Sequence, residues 1–340
     1  MNISIVKTDK VMPKVSVIVP VYGVEKYIEH CARSLFEQTL DGIEYIFVDD
    51  CTPDKSIEVI ESVIENYRRR IAEKKSIVRI LTMPSNSGQA GVRRRGIIEA
   101  TGDYVIHCDG DDWVDSDLYE KMYNEAVSSK SDIIMCGSIH EYTGKSEKHE
   151  AVCVADNGRD VVRDWYKRCL GMHCWNKLVR RSLYTENNVL PWEGLNMWED
   201  NGLMTRLFYY AGKISVVCDS YYHYNRTNFG AMTNGYGQKA VRQMIGIAEH
   251  LTEFFESKPD AEDFRKTVMA FQFLAKINLV TDSFSRINEY YALFPGSETI
   301  VSELDSGAFS PKGRFRFYMV KHHLAWLFVL MFKVKNRIGR

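Results

Sequence analysis

The sequence predicts an α/β fold: a doubly wound, mainly parallel sheet followed by a helical subdomain at the C-terminus. Two observations carry this prediction. Short apolar runs rich in β-branched residues alternate with segments of helical periodicity as far as residue 137, whereas the segments after residue 233 show helical periodicity alone. Strands that alternate with helices pair in parallel, because each crossover helix returns the chain to the same edge of the sheet. We therefore expect ligands at the carboxyl ends of these strands.

Five segments have the apolar, β-branched composition and the abrupt ends that are typical of buried strands. They are Lys14–Pro20, Ile43–Val48, Ser76–Met83, Tyr104–Cys108 and Asp132–Gly137. The segments between them place apolar residues on one helical face. Three of these predicted helices are Val24–Thr39, Gln89–Ala100 and Ser116–Ser129. The other is capped by Asp54 and extends as far as Tyr67. The later predictions are a hairpin or excursion at Glu141–Gly158 and helices at Lys239–Phe255, Ala261–Thr281 and Phe284–Phe294.

The composition is that of an ordinary globular protein. Of the 340 residues, 45% are hydrophobic and 26% are charged, which suits one large domain or two modest ones. We expect a main α/β domain at 14–233, a helical subdomain at 234–310 and a tail at 311–340. Eight cysteines without a CxxC pair favour a reducing compartment. Met1–Lys14 lacks the long apolar core of a signal peptide, so we expect a cytoplasmic location.

The C-terminal tail differs from the rest of the chain in charge. Ser306–Arg340 contains eight Lys or Arg residues and no Asp or Glu, although the whole chain has a net charge of −1. Its apolar run, Leu324–Phe332, is shorter than the roughly 20 residues that span a bilayer. A basic helix with Trp and Phe can instead lie on an anionic membrane surface, so we expect a peripheral protein on the inner face of the cell membrane. The alternative is a helix docked on its own domain or on a second protomer.

A nucleic-acid partner is not expected, because the basic charge is confined to this tail and no nucleic-acid-binding fold is recognisable. A dinucleotide site is not expected either. Such sites need G-x-G-x-x-G after the first strand, whereas this strand is followed by PVYGVEKY.

Three predicted strands end in groups that suit a ligand site. Pro20-Val21-Tyr22 ends the first, Asp49-Asp50 the second and Asp109-Gly110-Asp111-Asp112 the fourth. Clustered carboxylates repel one another unless a cation lies among them, and hard divalent cations prefer such oxygen ligands. A single DxD is more often a solvated turn that caps the next helix. Three such segments at one edge of a sheet favour a ligand site instead.

Several longer segments match one family in order and spacing. In the first half of the chain they are VSVIVPVY (Val15–Tyr22), FVDDCTPD (Phe47–Asp54), NSGQAGVRRRGIIEATGDYV (Asn86–Val105) and DGDDW (Asp109–Trp113). Later they are WNKLVRRSL (Trp175–Leu183), WEDNGL (Trp198–Leu203) and YYHYNR (Tyr221–Arg226). Together these segments resemble the family 2 glycosyltransferases, which have the GT-A fold. The resemblance covers about Lys14–Thr233.

This resemblance implies an inverting enzyme that moves a sugar from a nucleoside diphosphate sugar, which we expect to be a UDP-sugar, to an acceptor hydroxyl. Residues 14–137 would bind the nucleotide and residues 138–233 the acceptor. By position, the residues assigned to the nucleotide sugar are Pro20, Val21, Tyr22, Asp50, Arg93, Asp109, Gly110 and Arg226. A Mn or Mg cofactor would be held by Asp111, with Asp109 or Asp112 assisting.

Two positions depart from the family pattern. The family usually has Asn where this chain has Arg94, which leaves the roles of Arg94 and Arg95 open. It usually has Ser or Ala inside the DxD where this chain has Gly110. We expect the second change to be mild, because glycine lets the backbone approach a ligand closely.

The resemblance also implies a general base, which takes the proton of the attacking hydroxyl. Asp200 matches this base, and Glu199 would position it or contact the acceptor. Taken alone, acidic residues here would more often favour a helix N-terminus through its dipole. With the upstream motifs present, we predict that both act in catalysis.

The remaining candidates each have two interpretations. Arg226 either reaches the diphosphate or lies in a surface loop. His173 and His223 either complete a metal site or touch substrate, or, more commonly, are structural. The tryptophans that either stack on an acceptor sugar or pack in the core are Trp175, Trp192 and Trp198. Lys177 lies in a matching segment but has no predicted role.

The sequence therefore predicts a membrane-associated, inverting glycosyltransferase that acts on a glycan or lipid-linked glycan in cell-surface polysaccharide or glycolipid assembly. One alternative is a soluble transferase that acts on protein or free glycan. The other is a noncatalytic scaffold that only binds the nucleotide sugar. The intact Asp109, Asp111 and Asp200 argue against the scaffold.

Overall fold

The computed structural model describes residues 3–4, 12–152, 155–168, 170–228, 237–280, 285–304 and 309–338. Within them, ten strands form one sheet. The strands are β1 (Ile3–Ser4), β2 (Val15–Val21), β3 (Ile43–Asp49), β4 (Ile77–Thr82), β5 (Tyr104–His107), β6 (Trp113–Val114), β7 (Ile133–Tyr142), β8 (Lys145–His149), β9 (Lys177–Arg180) and β10 (Ile214–Asn225). The predicted boundaries at Thr233, Thr281, Phe284 and Arg340 lie outside the described residues.

The sheet is mainly parallel, as predicted. Its strand order is β1-β4-β3-β2-β5-β9-β7-β10-β6, and β8 pairs with β7. The parallel pairs are β2 with β3 and β5, β3 with β4, and β7 with β10. Strand β9 runs antiparallel between β5 and β7, and the short strands β1, β6 and β8 are also antiparallel to their partners. After β2 the chain adds β3 and β4 on one side and then returns to add β5 on the other side of β2. A sheet whose strand order reverses in this way commonly has a ligand-binding crevice at the carboxyl ends of the strands at that point.

Helices connect and follow these strands. In chain order they are α1 (Ile28–Phe36), α2 (Ser56–Glu73), α3 (Gly88–Glu99), α4 (Leu118–Ser129), α5 (Gly158–Arg163), α6 (Trp165–Arg168), α7 (Arg181–Glu186), α8 (Glu199–Tyr210), α9 (Gln238–Glu256), α10 (Ala261–Lys276), α11 (Ser285–Ala292), α12 (Pro311–Lys321) and α13 (Ala325–Ile338). Helix α1 begins later than predicted because Val24–Tyr27 form a turn, in which the Tyr27 N–H donates to the Val24 carbonyl (2.8 Å).

The predicted polar hairpin is present as β7 and β8, joined by a turn with Gly144 at φ 79°. Strand β10, in contrast, was not recognised from the sequence. Its register with β7 shifts between Val217 and Tyr221, around Asp219 at φ 60°. This bulge interrupts the alternation of side chains that would have identified the strand.

Contacts divide the chain into two compact units, one comprising 1–159 and 172–234 and the other 160–171 and 235–340. In the first, alternate residues of β2 face opposite sides of the sheet. Val17 and Val19 belong to a core cluster that includes Ile28 of α1 and Ile60 of α2. Ile18 faces α3, where a Cβ on Gly96 would lie only 2.4 Å from Ile18 Cγ2. Helix α3 therefore packs against the sheet at a distance that requires glycine.

The second unit is helical. Trp165 stacks on Phe271 with ring centroids 4.1 Å apart, and Thr267 Oγ1 donates to the Val162 carbonyl (2.7 Å). The fully buried Lys276 ammonium donates to the Phe294 carbonyl (2.8 Å) and to other acceptors after α11. The short segment 160–171 is thus held against α10.

The last two helices expose apolar side chains. Ser310 caps the N-terminus of α12, since its Oγ accepts from the Gly313 N–H (3.2 Å). Phe317 of this helix packs edge-on against Phe273. The large apolar residues of α12 and α13 that stay exposed are Phe315, Tyr318, Trp326, Leu330, Met331 and Val334. In the described part of the chain, every helix is too short or too polar to pass through a membrane.

Candidate active site

The aspartates that follow β5 have different partners. Asp112 is 1% exposed and accepts from the Tyr222 hydroxyl (2.6 Å) and the Asn225 N–H (2.8 Å). It therefore ties the end of β5 to β10. Asp111 instead accepts from Asn228 Nδ2 (2.7 Å), which holds its carboxylate towards the segment after β10.

Electrostatics at this acidic run favour a cation. Burial raises the pKa of the Asp111 carboxyl, and the nearby charge of Asp109 raises it further. Burial and the charges of Asp111 and Asp109 raise the pKa of Asp112 well above its usual value. A positive charge next to Asp111 would relieve this repulsion and favour the ionised form.

Arg93 joins two of the predicted site segments. This residue of α3 is 2% exposed, and its Nη2 donates to Asp109 Oδ1 (2.8 Å). Its Nη1 donates to Glu199 Oε1 at the start of α8. Hydrogen bonds from a buried guanidinium to two acidic side chains offset part of the cost of removing its charge from water. Arg93 thus brings the end of β5 and the start of α8 into one cluster.

Asp50 shapes the turn that begins α3. Its side chain is buried, Oδ1 accepts from the Ser87 N–H (2.7 Å) and Oδ2 accepts from the Gly88 N–H (2.8 Å). Asn196 Oδ1 accepts from the Ala90 N–H (2.9 Å) in the same helical turn. Donors at the start of α3 are therefore satisfied by protein groups. These contacts support a positioning role for Asp50, in addition to the predicted contact with the nucleotide.

The end of β2 lies directly against the DxD. A Cβ on Gly110 would be 2.9 Å from the Pro20 carbonyl oxygen, so the protein backbone itself requires glycine here. The close approach to a ligand that we expect from the sequence stays a prediction. The Val21 carbonyl accepts from the Asp50 N–H (3.0 Å). Tyr22 follows and is 53% exposed, which leaves its ring accessible to a nucleobase.

Glu199 and Asp200 occupy the first turn of α8. The preceding Trp198 adopts a left-handed conformation (φ 67°), which is costly for a residue with a large side chain and turns the chain sharply into the helix. The Glu199 side chain is buried with Arg93, whereas 21% of the Asp200 side chain is exposed. Asp200 Oδ1 accepts from the Asn201 N–H (2.7 Å).

The environments of these two carboxyls move their pKa values apart. Burial raises the pKa of Glu199 to about 8, although the Arg93 guanidinium opposes this shift. Burial also acts to raise the pKa of Asp200, but the His173 and Arg93 side chains outweigh it and hold that pKa below its usual value. Asp200 is therefore ionised and partly exposed at neutral pH, as a general base must be.

An aromatic stack supports this side of the cluster. Trp175 is 7% exposed and stacks on Tyr222 (4.5 Å between centroids) and on His173 (5.0 Å). Trp175 thus packs in the core rather than against an acceptor. Lys177, 1% exposed, donates from Nζ to the His173 carbonyl (2.7 Å), which gives this lysine a structural role that the sequence did not suggest.

Comparison with a family model gives the same family as the sequence motifs. Residues 16–187 match the model of the family described as "Glycosyl transferase family 2". The chain belongs to glycosyltransferase family 2.

Relatives and solved structures of this family extend the match. The glycosyltransferase is 30% identical over 253 residues to the uncharacterized glycosyltransferase EpsJ of Bacillus subtilis, covering 73% of this chain and 69% of EpsJ. It is 28% identical over 214 residues to the poly(ribitol-phosphate) beta-glucosyltransferase of Bacillus spizizenii, covering 62% of this chain and 32% of that protein. The crystal structure of S. aureus TarS 1-349 in complex with UDP-GlcNAc superimposes with a TM-score of 0.68 at 18% identity, covering 96% of this chain and 92% of that one. This similarity shows the GT-A fold.

Three weaker candidates of the glycosyltransferase have contacts of their own outside the Arg93 cluster. Arg226 is exposed and lies 5.3 Å from the centroid of the Tyr224 ring, and no described contact links it to the DxD. His223 contacts Glu141 Oε1 (2.8 Å) and Asp115 Oδ1 (3.1 Å) through its two ring nitrogens, so it is structural. Trp192 lies against the Arg206 guanidinium, 3.7 Å from the centroid of its ring.

The described residues contain no group of three or more His, Cys, Asp or Glu side chains arranged to hold a metal ion by themselves. The donors that are present nevertheless fit the cation that we predict. Mg²⁺ bound at a nucleotide site commonly takes one or two carboxylates, with substrate phosphates supplying further oxygens. Asp111 and Asp109 offer that number of carboxylates.

Sequence reasoning missed four polar side chains that shape the site. They are Gln89, Asn196, Tyr222 and Asn228. Tyr222 and Asn228 lie in or just after β10, whose bulge concealed the strand, and Asn196 lies in an irregular segment. Gln89 could have been identified from the sequence, because a polar residue that directly follows the glycine turn lies at the start of a predicted helix.

A cavity of about 530 Å³ lies elsewhere in the glycosyltransferase. Its lining includes Asp103 and Tyr104 at the start of β5, with Tyr123, Lys130 and Arg180. The aspartates of the site follow the other end of β5. This cavity is therefore separate from the predicted site.

Proposed function

We propose that this glycosyltransferase moves a sugar, with inversion, from a nucleoside diphosphate sugar to an acceptor hydroxyl, and that Asp200 is the general base. One observation carries the proposal. Arg93 contacts both Asp109 and Glu199, so the predicted donor-binding end of β5 and the predicted base at the start of α8 share one cluster. The UDP-GlcNAc bound to the TarS neighbour supports a UDP-sugar donor.

The proposed reaction needs a base that takes the proton of the acceptor hydroxyl and a positive group that stabilises the leaving diphosphate. The acceptor oxygen forms a bond to the anomeric carbon as its proton moves to Asp200, and the bond from that carbon to the diphosphate breaks with its electron pair on the phosphate oxygen. A positioned base typically contributes about 10²–10⁴ in rate. Glu199 fixes Arg93 next to this base. We propose that Pro20, Val21 and Tyr22 hold the nucleobase, and the exposed ring of Tyr22 supports this role.

We propose that Asp111, assisted by Asp109, holds a Mn or Mg ion. Such an ion acts as a Lewis acid that stabilises the negative charge gained by the leaving diphosphate. The raised pKa of Asp111 supports this assignment, because burial and the charge of Asp109 both disfavour the ionised form and a bound cation would offset them. Asp112 is a poorer ligand, since both of its oxygens already accept hydrogen bonds.

For the acceptor, we propose a glycan or lipid-linked glycan of a cell-surface polysaccharide or glycolipid. The poly(ribitol-phosphate) beta-glucosyltransferase relative supports a cell-surface polymer. We further propose that α12 and α13 place the enzyme on the inner face of the cell membrane. Their exposed apolar side chains and the excess of basic residues after Ser306 suit an anionic lipid surface. A soluble transferase that acts on protein or free glycan is the alternative.

The Asp200→Asn variant tests the proposed base. We expect it to lose about 10²–10⁴ in the rate of metal-dependent nucleoside diphosphate release, because the amide cannot take the proton. Donor binding, measured by calorimetry with UDP, should remain. Asp263→Asn is a matched control, since Asp263 lies in the first turn of α10 and outside the site. If Asp200→Asn keeps full activity, another group is the base.

A further inference from the structure

The two carboxylate oxygens of Asp200 have different surroundings. Oδ1 accepts from the Asn201 N–H (2.7 Å) and from Asn201 Nδ2 (3.0 Å), both within α8. Oδ2 faces His173 Nδ1 at 3.5 Å. One oxygen is thus held by its own helix and the other lies opposite an imidazole from a different segment.

The imidazole is itself held in place. Its ring stacks on Trp175 at an interplanar angle of 12°, and the backbone carbonyl of His173 accepts from the buried Lys177 ammonium (2.7 Å). Trp175 in turn stacks on the buried Tyr222. The His173 side chain nevertheless remains 52% exposed. A ring fixed on its face and backbone, with its edge towards a carboxylate, is suited to orient that carboxylate.

Other charged groups near Asp200 are engaged elsewhere. Arg93 pairs with Asp109 and Glu199, and Lys177 donates to the His173 carbonyl and to Asn176 Oδ1 (2.8 Å). Glu199 and the buried Cys174 thiol also face this region. Among the described ion pairs, His173 is the basic side chain that lies within 4.0 Å of Asp200.

We propose that His173 is the positioning residue for the base, holding Asp200 Oδ2 ionised and directed towards the acceptor hydroxyl. This inference rests on the proposed function. In the transfer, the hydroxyl proton goes to Asp200, and His173 touches none of the reacting atoms. Hydrogen bonds at catalytic sites are often long before substrate binds, so a separation of 3.5 Å is compatible with this role.

A titration of Asp200 tests the contact without any donor. In protein labelled with ¹³C at the Asp carboxyl carbons, the Asp200 resonance is the one lost in Asp200→Asn. We expect His173→Gln to raise the pKa of Asp200 by roughly one unit, because an opposite charge within about 4–6 Å lowers a carboxyl pKa by about 1–3 units. His250→Gln is the matched control: His250 is 43% exposed and lies 3.2 Å from Glu253. An unchanged Asp200 titration in His173→Gln would overturn the proposal.

Kinetic measurements test whether His173 affects the rate of sugar transfer through Asp200. UDP release from UDP-GlcNAc and UDP-glucose, and GDP release from GDP-mannose, are measured with Mn²⁺ against pH. In His173→Gln we expect kcat to fall about tenfold, because small misplacements of a catalytic group are costly. The KM for the donor should stay within about twofold of the wild-type value. The acid limb of the pH profile of kcat should move by the same amount as the pKa of Asp200 measured by NMR. A purely structural role would not link these two shifts.

The two variants also distinguish a failure of this inference from a failure of the proposed function. Full activity in Asp200→Asn would reject the base itself. An inactive Asp200→Asn together with a wild-type kcat and pH profile in His173→Gln would reject only the role of His173. If none of the three donors is turned over, the NMR titration still decides whether His173 controls the ionisation of Asp200.

Discussion

At the scale of single residues, Gly110 shows how tightly the end of β2 and the DxD fit together. The space for a side chain is occupied by the Pro20 carbonyl and by the side chains of Val24 and Ile28. This glycine therefore has a steric reason within the protein, and its predicted contact with the nucleotide sugar stays a prediction. The backbone contact fixes Asp109 and Asp111 relative to the predicted nucleobase site.

Replacing Gly110 with Ala should separate these two segments. We expect the added Cβ, 2.9 Å from the Pro20 oxygen, to destabilise the protein by roughly 1–3 kcal/mol and to reduce turnover. Thermal unfolding and nucleoside diphosphate release measure the two effects. Gly237→Ala is the control, because a Cβ there meets no atom within 4 Å. Equal unfolding temperatures for the two variants would contradict the close contact.

The sequence indicated where some site residues lie but not which groups they contact. Asp50 was predicted from its place after a buried strand, and it does lie at that edge of the sheet. Sequence could not show that both of its oxygens accept from the α3 turn. That information depends on where the chain returns after β4. Similarly, Trp175 had two interpretations until the Tyr222 ring was found stacked on it.

At the scale of elements, strands β2 to β5 and helix α3 were predictable because their burial is regular. β3, for example, is buried at six consecutive positions, so its sequence is continuously apolar or nearly so. The motif from Asn86 to Glu99 also predicted α3 correctly. Strands β9 and β10 were not predicted. β9 has only four residues and runs antiparallel, and β10 is interrupted by a bulge.

Strand β9 carries a testable electrostatic feature, the buried Lys177. Burial lowers the pKa of its ammonium to about 8. The unfolded chain, with an ordinary lysine pKa near 10.4, therefore binds more protons than the folded protein between those values. Stability contributed by this group should rise as pH increases from about 8 to about 10.4.

Comparison with Lys177→Met isolates this contribution. We expect the difference in unfolding temperature between wild type and variant to change in favour of wild type as the pH rises through this window. Other lysines and tyrosines titrate equally in both proteins and cancel. A difference that stays constant from pH 7.5 to 10.5 would show that the lysine is not perturbed by burial.

At the scale of the whole molecule, the residues before Ser306 carry a net negative charge, whereas the C-terminal segment is basic and partly apolar. Truncation before α12 would uncover Phe273, against which Phe317 packs. Substitutions on the exposed face are therefore a cleaner test of membrane association. Trp326 is 49% exposed and Leu330 is 42% exposed, and both can change without opening the core.

We expect Lys321→Glu to reduce flotation with vesicles that contain anionic lipid by about fivefold or more, since each basic residue near the surface contributes roughly 1 kcal/mol. Trp326→Ser should reduce flotation as well, and by a similar amount at high salt. Val127→Ser, an equally exposed apolar position in the first unit, is the control. Unchanged flotation of both tail variants would favour the soluble alternative.

One guanidinium, that of Arg93, contacts acidic side chains from two separate segments of the proposed site, Asp109 after β5 and Glu199 in α8. Any cation that arrives at Asp109 with a donor would compete with Arg93 for that carboxylate, and Arg93 would then interact more strongly with Glu199. Donor loading would in this way alter the electric field beside Asp200 before an acceptor is present.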